Sequence, residues 1–274
     1  VYSCSDTTNG AKEYKGGDAT SSPTFSAPTM VIDNPCSSVD VVITSTDTGM
    51  AVIAPQSQSD GIAKTSSNDG TGWDGSPSTL FTGVDVQNDS IIFLDYDGNE
   101  YHAAIIDDVS ADGADKILYN TFSGGAWGTQ ETIATGVRLG QEHIDIVADT
   151  ANGVPHIFYM DNANSALKYS YKTDGSWTTG NIVTGLSLTT IGGDYWNNVA
   201  GDYDSTNSQI VVLGSFYLTG GAFDFNKYAL TDLPADSGGG GGDGVPEFST
   251  YVYTILLLSS FLFLYKRHRS ISTS

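Results

Sequence analysis

The chain is 274 residues long, with a net charge of −21 and a pI of about 4.1. Such a surface excludes nucleic acid as a partner, because phosphate binding rests on lysine and arginine, and Arg138 is the one arginine ahead of the C-terminal segment. Apolar residues make up 39%, enough for a core, and roughly 236 residues before a glycine stretch suit one large domain. The acids are mostly Asp, which favours turns over helices, and the charge reads as solubility and self-repulsion at a crowded surface.

In chain order, Cys4 and Cys36 come first. An exported protein meets an oxidising compartment, so a disulfide between them is expected. No signal peptide is visible at Val1, and the numbering is expected either to start after its removal or to lack part of the N-terminus. From there the sequence reads as strands and turns, and no window sustains a 3.6-residue period.

Self-similarity is the strongest signal. Asp174-Gly175-Ser176-Trp177 leads to Ile182-Val183-Thr184-Gly185, Gly124-Gly125-Ala126-Trp127 to Ile133-Ala134-Thr135-Gly136, and Asp69-Gly70-Thr71-Gly72-Trp73 to Leu80-Phe81-Thr82-Gly83. Gly220-Gly221-Ala222-Phe223 is a further copy, and Phe25 marks an earlier one. The anchors Phe25, Trp73, Trp127, Trp177 and Phe223 recur roughly every 46–54 residues. Between anchors lie alternating apolar runs such as His143–Ala148, Pro155–Met160 and Ala166–Tyr171, joined by Asn152-Gly153 and Asp161–Asn164. Four strands per unit is the signature of a propeller blade. The expectation is an all-β chain: a β-propeller of about five four-stranded blades over residues 1–236, the first truncated, plus a C-terminal transmembrane helix. Each tryptophan is expected to pack between neighbouring sheets. His102 and His156 occupy equivalent second-strand positions and are expected in the packing.

The pattern Asn-Gly, Pro-His-Ile-x-Tyr, Asp, Leu-Lys-Tyr over residues 141–185 resembles a bacterial or archaeal surface-propeller repeat related to the sialidase Asp-box families. The resemblance implies rim turns, not catalytic elements. A sialidase also needs three arginines around its substrate carboxylate, and the domain has Arg138 alone.

Asp95-Tyr96-Asp97-Gly98-Asn99 resembles a compact calcium loop, with Asp95, Asp97 and Asn99 as candidate ligands. The same Asp-Gly pair also reads as a hairpin turn. Propellers bind ligands on one face of the channel, through loops before the first strand and after the second. Those loops hold Arg138, Glu142, His143, Tyr195 and Trp196, with Asp107, Asp108 and Asp161. Aromatic rings beside carboxylates suit a sugar.

Residues 237–244 form a glycine-rich linker. Beyond it come Val245-Pro246-Glu247-Phe248, an uncharged run to Tyr265, and a basic stop of Lys266, Arg267 and Arg269. As a helix the run from Phe248 to Tyr265 spans about 27 Å, just short of a hydrocarbon core, and a helix over about 249–265 is expected. The basic cluster places the C-terminus in the cytoplasm and the domain outside. This order resembles the PEP-CTERM/PEF-CTERM sorting signals. The resemblance implies an exosortase or archaeosortase that cuts near the motif and transfers the protein to a surface glycan or lipid.

The sequence contains no His-x-x-x-His, Gly-x-Ser-x-Gly or Walker pattern. The leading expectation is an exported, surface-anchored, non-catalytic propeller that binds carbohydrate or protein, including further copies of itself. Assembly into a surface layer, matrix or filament is the second reading. A five-bladed glycoside hydrolase, with a carboxylate acid and base across the channel mouth, is the third, and no such pair is expected.

Overall fold

Valine, isoleucine, threonine and tyrosine dominate the segments between glycine and aspartate turns, and these segments form strands. The computed structural model describes residues 2–3, 11–13, 27, 29–44, 48–55, 62–69, 72–74, 76–84, 91–107, 115–137, 144–191, 194–195, 197–231 and 248–251. Their regular structure is all β.

β1 (Tyr2–Ser3), β2 (Ala11–Glu13) and β3 (Thr29–Ile32) form a three-stranded sheet. β4 (Cys36–Ile43), β5 (Thr48–Pro55), β6 (Ile62–Asp69) and β7 (Ser78–Thr82) form a four-stranded meander. The third sheet runs β8 (Ile92–Tyr96), β9 (Tyr101–Asp107), β10 (Asp115–Ser123), with β11 (Ala126–Trp127) and β12 (Glu131–Val137) both along β10. The fourth is a meander of β13 (Ile144–Asp149), β14 (Val154–Asp161), β15 (Ala166–Thr173) and β16 (Ser176–Val183). A short ribbon of β17 (Thr190–Ile191) and β18 (Asp194–Tyr195) leads to the last sheet: β19 (Asn198–Asp204), β20 (Gln209–Leu218), β21 (Ala222–Leu230) and β22 (Phe248–Tyr251).

The sheets stack in chain order through their first strands: β1 lies against β4, β4 against β8, β8 against β13 and β13 against β19. Side chains alternate across a strand, so each sheet sends successive residues into different gaps. Ile105 and Leu118 face Met50, Val52 and Phe81 of the sheet before. Their chain neighbours Ile106 and Ile117 face Ile144, Ile146 and Ile157 of the sheet after. A sheet covered on both sides has no polar face, and β14 is accordingly buried from end to end.

Tight turns set up each anchor. Gly124 and Gly125, Asp174 and Gly175, and Gly220 and Gly221 all have positive φ, the backbone of a two-residue hairpin turn whose twist matches its strands. Trp73 packs with Ala11, Val31 and Ile32 of the preceding sheet, and its indole N–H donates to Glu13 Oε2 (3.3 Å). Trp127 packs into the cluster of Leu80 and Phe81, and Trp177 into that of Ile117 and Tyr119. The tryptophans therefore bury against the sheet before their own. Phe223 departs from this pattern: it is 48% exposed and meets Tyr217 and Phe225 of its own sheet. Phe25 lies outside the described residues.

Gly180 shows why a glycine stands in β16. A Cβ there would lie 2.7 Å from the ring of its cross-strand partner Tyr169, which is buried. Gly180→Ala is expected to cost about 1–3 kcal/mol by overpacking, read as a lower urea midpoint at unchanged m value.

Cys36 is buried and disulfide-bonded. With two cysteines in the chain its partner is Cys4, which lies outside the described residues.

The C-terminal segment departs from expectation. Phe248–Tyr251, where a helix was expected to begin, pairs with β21 as an edge strand, Leu230 opposite Phe248 and Lys227 opposite Tyr251. Aromatic and β-branched residues favour the pleated surface, and β21 offers an edge of unpaired backbone groups. No helix of the described residues is long and apolar enough to cross a membrane. Val245, Pro246, Glu247, Lys266, Arg267 and Arg269 lie outside the described residues.

Candidate active site on the first strands

A first strand is paired along one edge, and its other edge leaves backbone N–H groups without a ladder partner. Aspartates fill that need. Asp40 Oδ2 accepts from Leu94 N (2.8 Å), Asp95 Oδ2 from Ala148 N (2.7 Å) and Asp145 Oδ2 from Gly201 N (2.6 Å). In each case the other oxygen, Oδ1, accepts from the next residue of its own strand: Val41 (2.8 Å), Tyr96 (2.8 Å) and Ile146 (2.9 Å). Ser38 Oγ accepts from Ile92 N in the same way. The carboxylates thus staple each first strand to the one in the next sheet.

The staples also bring the acids within range of one another. Burial raises the Asp40 carboxyl, and the charge of Asp95 raises it further. Burial raises Asp95, with Asp202 of β19 adding repulsion. Asp145 is pushed up to about 7, by burial first and then by the charges of Asp40 and Asp95, although two backbone N–H groups oppose the shift. Asp40, Asp95 and Asp145 are half-buried and Asp202 is exposed, so the group reaches solvent. Each carboxylate oxygen has two lone-pair positions; on Asp145 one accepts a backbone N–H and the other can hold a proton. A carboxyl that keeps its proton near neutral pH with other carboxyls in range is the arrangement of a general acid and its partner.

Histidines and turn acids have other roles. His102 is buried, with Nδ1 2.7 Å from Tyr119 Oη and Nε2 3.3 Å from Asp97 Oδ2. Burial pushes the Asp97 carboxyl up, but bonds from His102 and the Glu100 and Asn99 amides outweigh it and bring it to about 2. His156 has no exposed surface and is stacked with Phe158 and Tyr171; among the described residues neither ring nitrogen finds a partner. Burial lowers its pKa to about 3. The unfolded chain takes up this proton near pH 6.5, whereas the folded one waits until about 3. Stability is therefore present above pH 6.5 and lost as pH falls towards 3. His156→Leu removes an unpaired buried polar group and is expected to stabilise by about 1–3 kcal/mol. Its gain in melting temperature over wild type should widen between pH 7 and pH 5 in calorimetry.

Of the residues singled out in the sequence, Asp95 is the one that joins the first-strand group, and as a staple. Asp97 closes its hairpin by accepting from Asn99 N and Glu100 N. Asp95 and Asp97 thus turn to different partners, and among the described residues no three His, Cys, Asp or Glu side chains converge as a metal site. Asp161 is fully buried, paired with Lys168 Nζ (2.7 Å) and Asn164. Asp107 is buried 3.3 Å from Lys116 Nζ. Tyr195 lies in β18. Arg138, Glu142, His143, Trp196 and Asp108 lie outside the described residues. Asp40 and Asp145 were missed. The available signal was a carboxylate inside an otherwise apolar strand, as in Val39-Asp40-Val41 and Ile144-Asp145-Ile146, where aspartate is disfavoured.

No protein-family model matches the chain, and no curated protein matches it. Solved structures do. An N-acetylgalactosamine deacetylase from F. plautii, in complex with blood group B trisaccharide, is 14% identical at a TM-score of 0.43, over 71% of this chain and 66% of that one. The chain thus spans just under two thirds of that structure. A family 43 endo-arabinanase from Bacillus licheniformis is 13% identical at a TM-score of 0.40, over 72% and 71%. A fucose lectin from Kordia zhangzhouensis, in complex with methyl-fucoside, is 14% identical at a TM-score of 0.34, over 59% and 98%. The expectation of a non-enzyme is corrected here. Enzymes stand among the structures similar to the chain, and Asp40, Asp95 and Asp145 on its first strands feel one another's charge.

Proposed function

We propose that the chain is a carbohydrate-active β-propeller of about five blades, of the glycoside hydrolase type. The observation that carries this reading is Asp145, a half-buried carboxyl stapled to the next first strand through Gly201 N and raised to about 7 by burial and by the charges of Asp40 and Asp95. Asp145 is the general acid and protonates the glycosidic oxygen as the bond to the sugar breaks. Asp40 or Asp95 is the carboxylate that activates water or attacks the sugar, its separation from Asp145 setting the stereochemical outcome. Stacking of the sheets in chain order through their first strands supports the propeller, in which such strands line one axis. The acidic domain is exported and carried to the cell surface by its C-terminal segment. Pro246-Glu247-Phe248 is the address, and an exosortase- or archaeosortase-type transpeptidase the partner.

The test is incubation with arabinan, arabinoxylan, N-acetylgalactosamine-capped and fucosylated oligosaccharides, followed by mass spectrometry of the products. Cleavage of at least one glycosidic class is expected. If every glycan is returned intact, the reading fails.

A further inference from the structure

The last sheet carries an aromatic surface that the repeat does not call for. In the sequence repeat Phe223 takes the place of Trp127 and Trp177, but in the structure it lies in the third strand of its sheet instead of the outer one, and it is 48% exposed. Two residues on, the earlier copies have Thr129 and Thr179; this one has Phe225, 67% exposed. Tyr217, opposite Phe223, packs against it with ring centroids 4.9 Å apart, and Phe225 follows at 6.3 Å from Phe223. Leu213, on the same face of β20, is 52% exposed. Large apolar side chains ranged along one face mark a docking surface.

The direction of the chain says what covers it. β22 runs antiparallel to β21, from Leu230 at Phe248 to Lys227 at Tyr251. Beyond Tyr251 it is therefore aimed at the end of β21 that holds Phe225 and Phe223. The residues that follow, 252–265, are uncharged and end at Lys266, Arg267 and Arg269. With Phe248–Tyr251 held in the sheet, this run measures about 21 Å as a helix, below the ~30 Å of a hydrocarbon core and in the range of segments that lie in the interface. The described end of β22 and the aromatic hairpin thus point to the same end of β21.

We propose that the Tyr217–Phe223–Phe225 face docks on the outer surface of the lipid bilayer, beside the point where the C-terminal segment enters it. The phenylalanines sit among the acyl chains at the interface and Tyr217 at headgroup level, the placement favoured by an amphipathic ring. With a net charge of −21 the domain gains nothing from anionic headgroups, so the contact is apolar and suits zwitterionic lipid. This rests on the reading of the C-terminal segment as a membrane anchor and concerns the chain before any cut near Pro246-Glu247-Phe248.

The experiment uses the full chain with phosphatidylcholine vesicles, in two readouts. Flotation in a density gradient tests the anchor. Replacement of Phe225 by a photocrosslinking benzoylphenylalanine then reports what touches that position, read by mass spectrometry. An adduct one phosphatidylcholine heavier is expected, and the Phe223→Ser/Phe225→Ser chain should float at least about threefold less. A crosslinked dimer, a crosslink to the chain's own tail, or no adduct on floating protein overturns the docking while leaving the anchor. Failure of the full chain to float overturns the anchor itself.

Discussion

Asp145→Asn is expected to lower kcat on the cleaved glycan by at least about 100-fold, the range for loss of a positioned general acid, with KM changed by less than about threefold. Asparagine keeps one oxygen to accept the Gly201 or Ile146 N–H but cannot deliver a proton. The pH profile separates this role from a merely structural one. With Asp145 titrating at about 7, kcat/KM of the wild type should fall as pH rises through 7. The residual activity of Asp145→Asn should lack that limb, and activated aryl glycosides, which leave without a proton, should recover most of the loss. Stability gives a second signature. Asp145 holds its proton to about 7 when folded but releases it near 3.8 when unfolded, so wild type loses stability as pH rises from about 4 to 7. The variant should not show that loss in calorimetric scans across the same window. Wild-type turnover on the cleaved glycan would remove Asp145 from the mechanism.

Trp177→Ala should destabilise by about 3 kcal/mol, at the lower end of the range for losing a packed tryptophan because the ring is half-buried. Trp177 joins two sheets. Its ring meets Tyr119 edge-on at 4.9 Å, and its N–H donates to Glu131 Oε2 at 2.8 Å; Tyr119 and Glu131 both belong to the preceding sheet. Lys172 pairs with the same Glu131 and lies 5.5 Å from the Tyr119 ring centroid. Trp177→Phe keeps a ring and loses the hydrogen bond, so about 1 kcal/mol should go. Urea titration followed by far-UV circular dichroism measures both. A Trp177→Ala midpoint within error of wild type would mean that the anchors do not join the sheets. Phe223 provides the contrast: exposed, and in contact with Tyr217 and Phe225 of its own sheet, it should tolerate serine with little change in midpoint.

Legibility in the sequence followed the range of the interactions. The hairpins and the Trp127 and Trp177 anchors were readable because Gly124-Gly125 and Asp174-Gly175 need their left-handed backbone whatever surrounds them. The staples were not, because Asp40, Asp95 and Asp145 bond backbone 54, 53 and 56 residues further along. No local pattern announces a partner at that distance. Asp95 was noticed for its neighbours Asp97 and Asn99, which serve the turn instead. Asp161 looked like rim chemistry and is a buried ion pair with Lys168. The strand at Phe248–Tyr251 was hidden for a related reason. An apolar run reads equally as membrane segment or edge strand until an open edge such as that of β21 is in view.

By itself the sequence determined the all-β class, the repeated unit and the acidity, since strand preference, turn geometry and charge are properties of residues and their near neighbours. The tertiary structure alone decided which aspartates staple neighbouring first strands and which aromatic anchor faces out. Those outcomes depend on stacking. Where a following sheet covers a face, its residues become core. Where first strands expose unpaired N–H groups, carboxylates are drawn to them, and burial there raises their pKa.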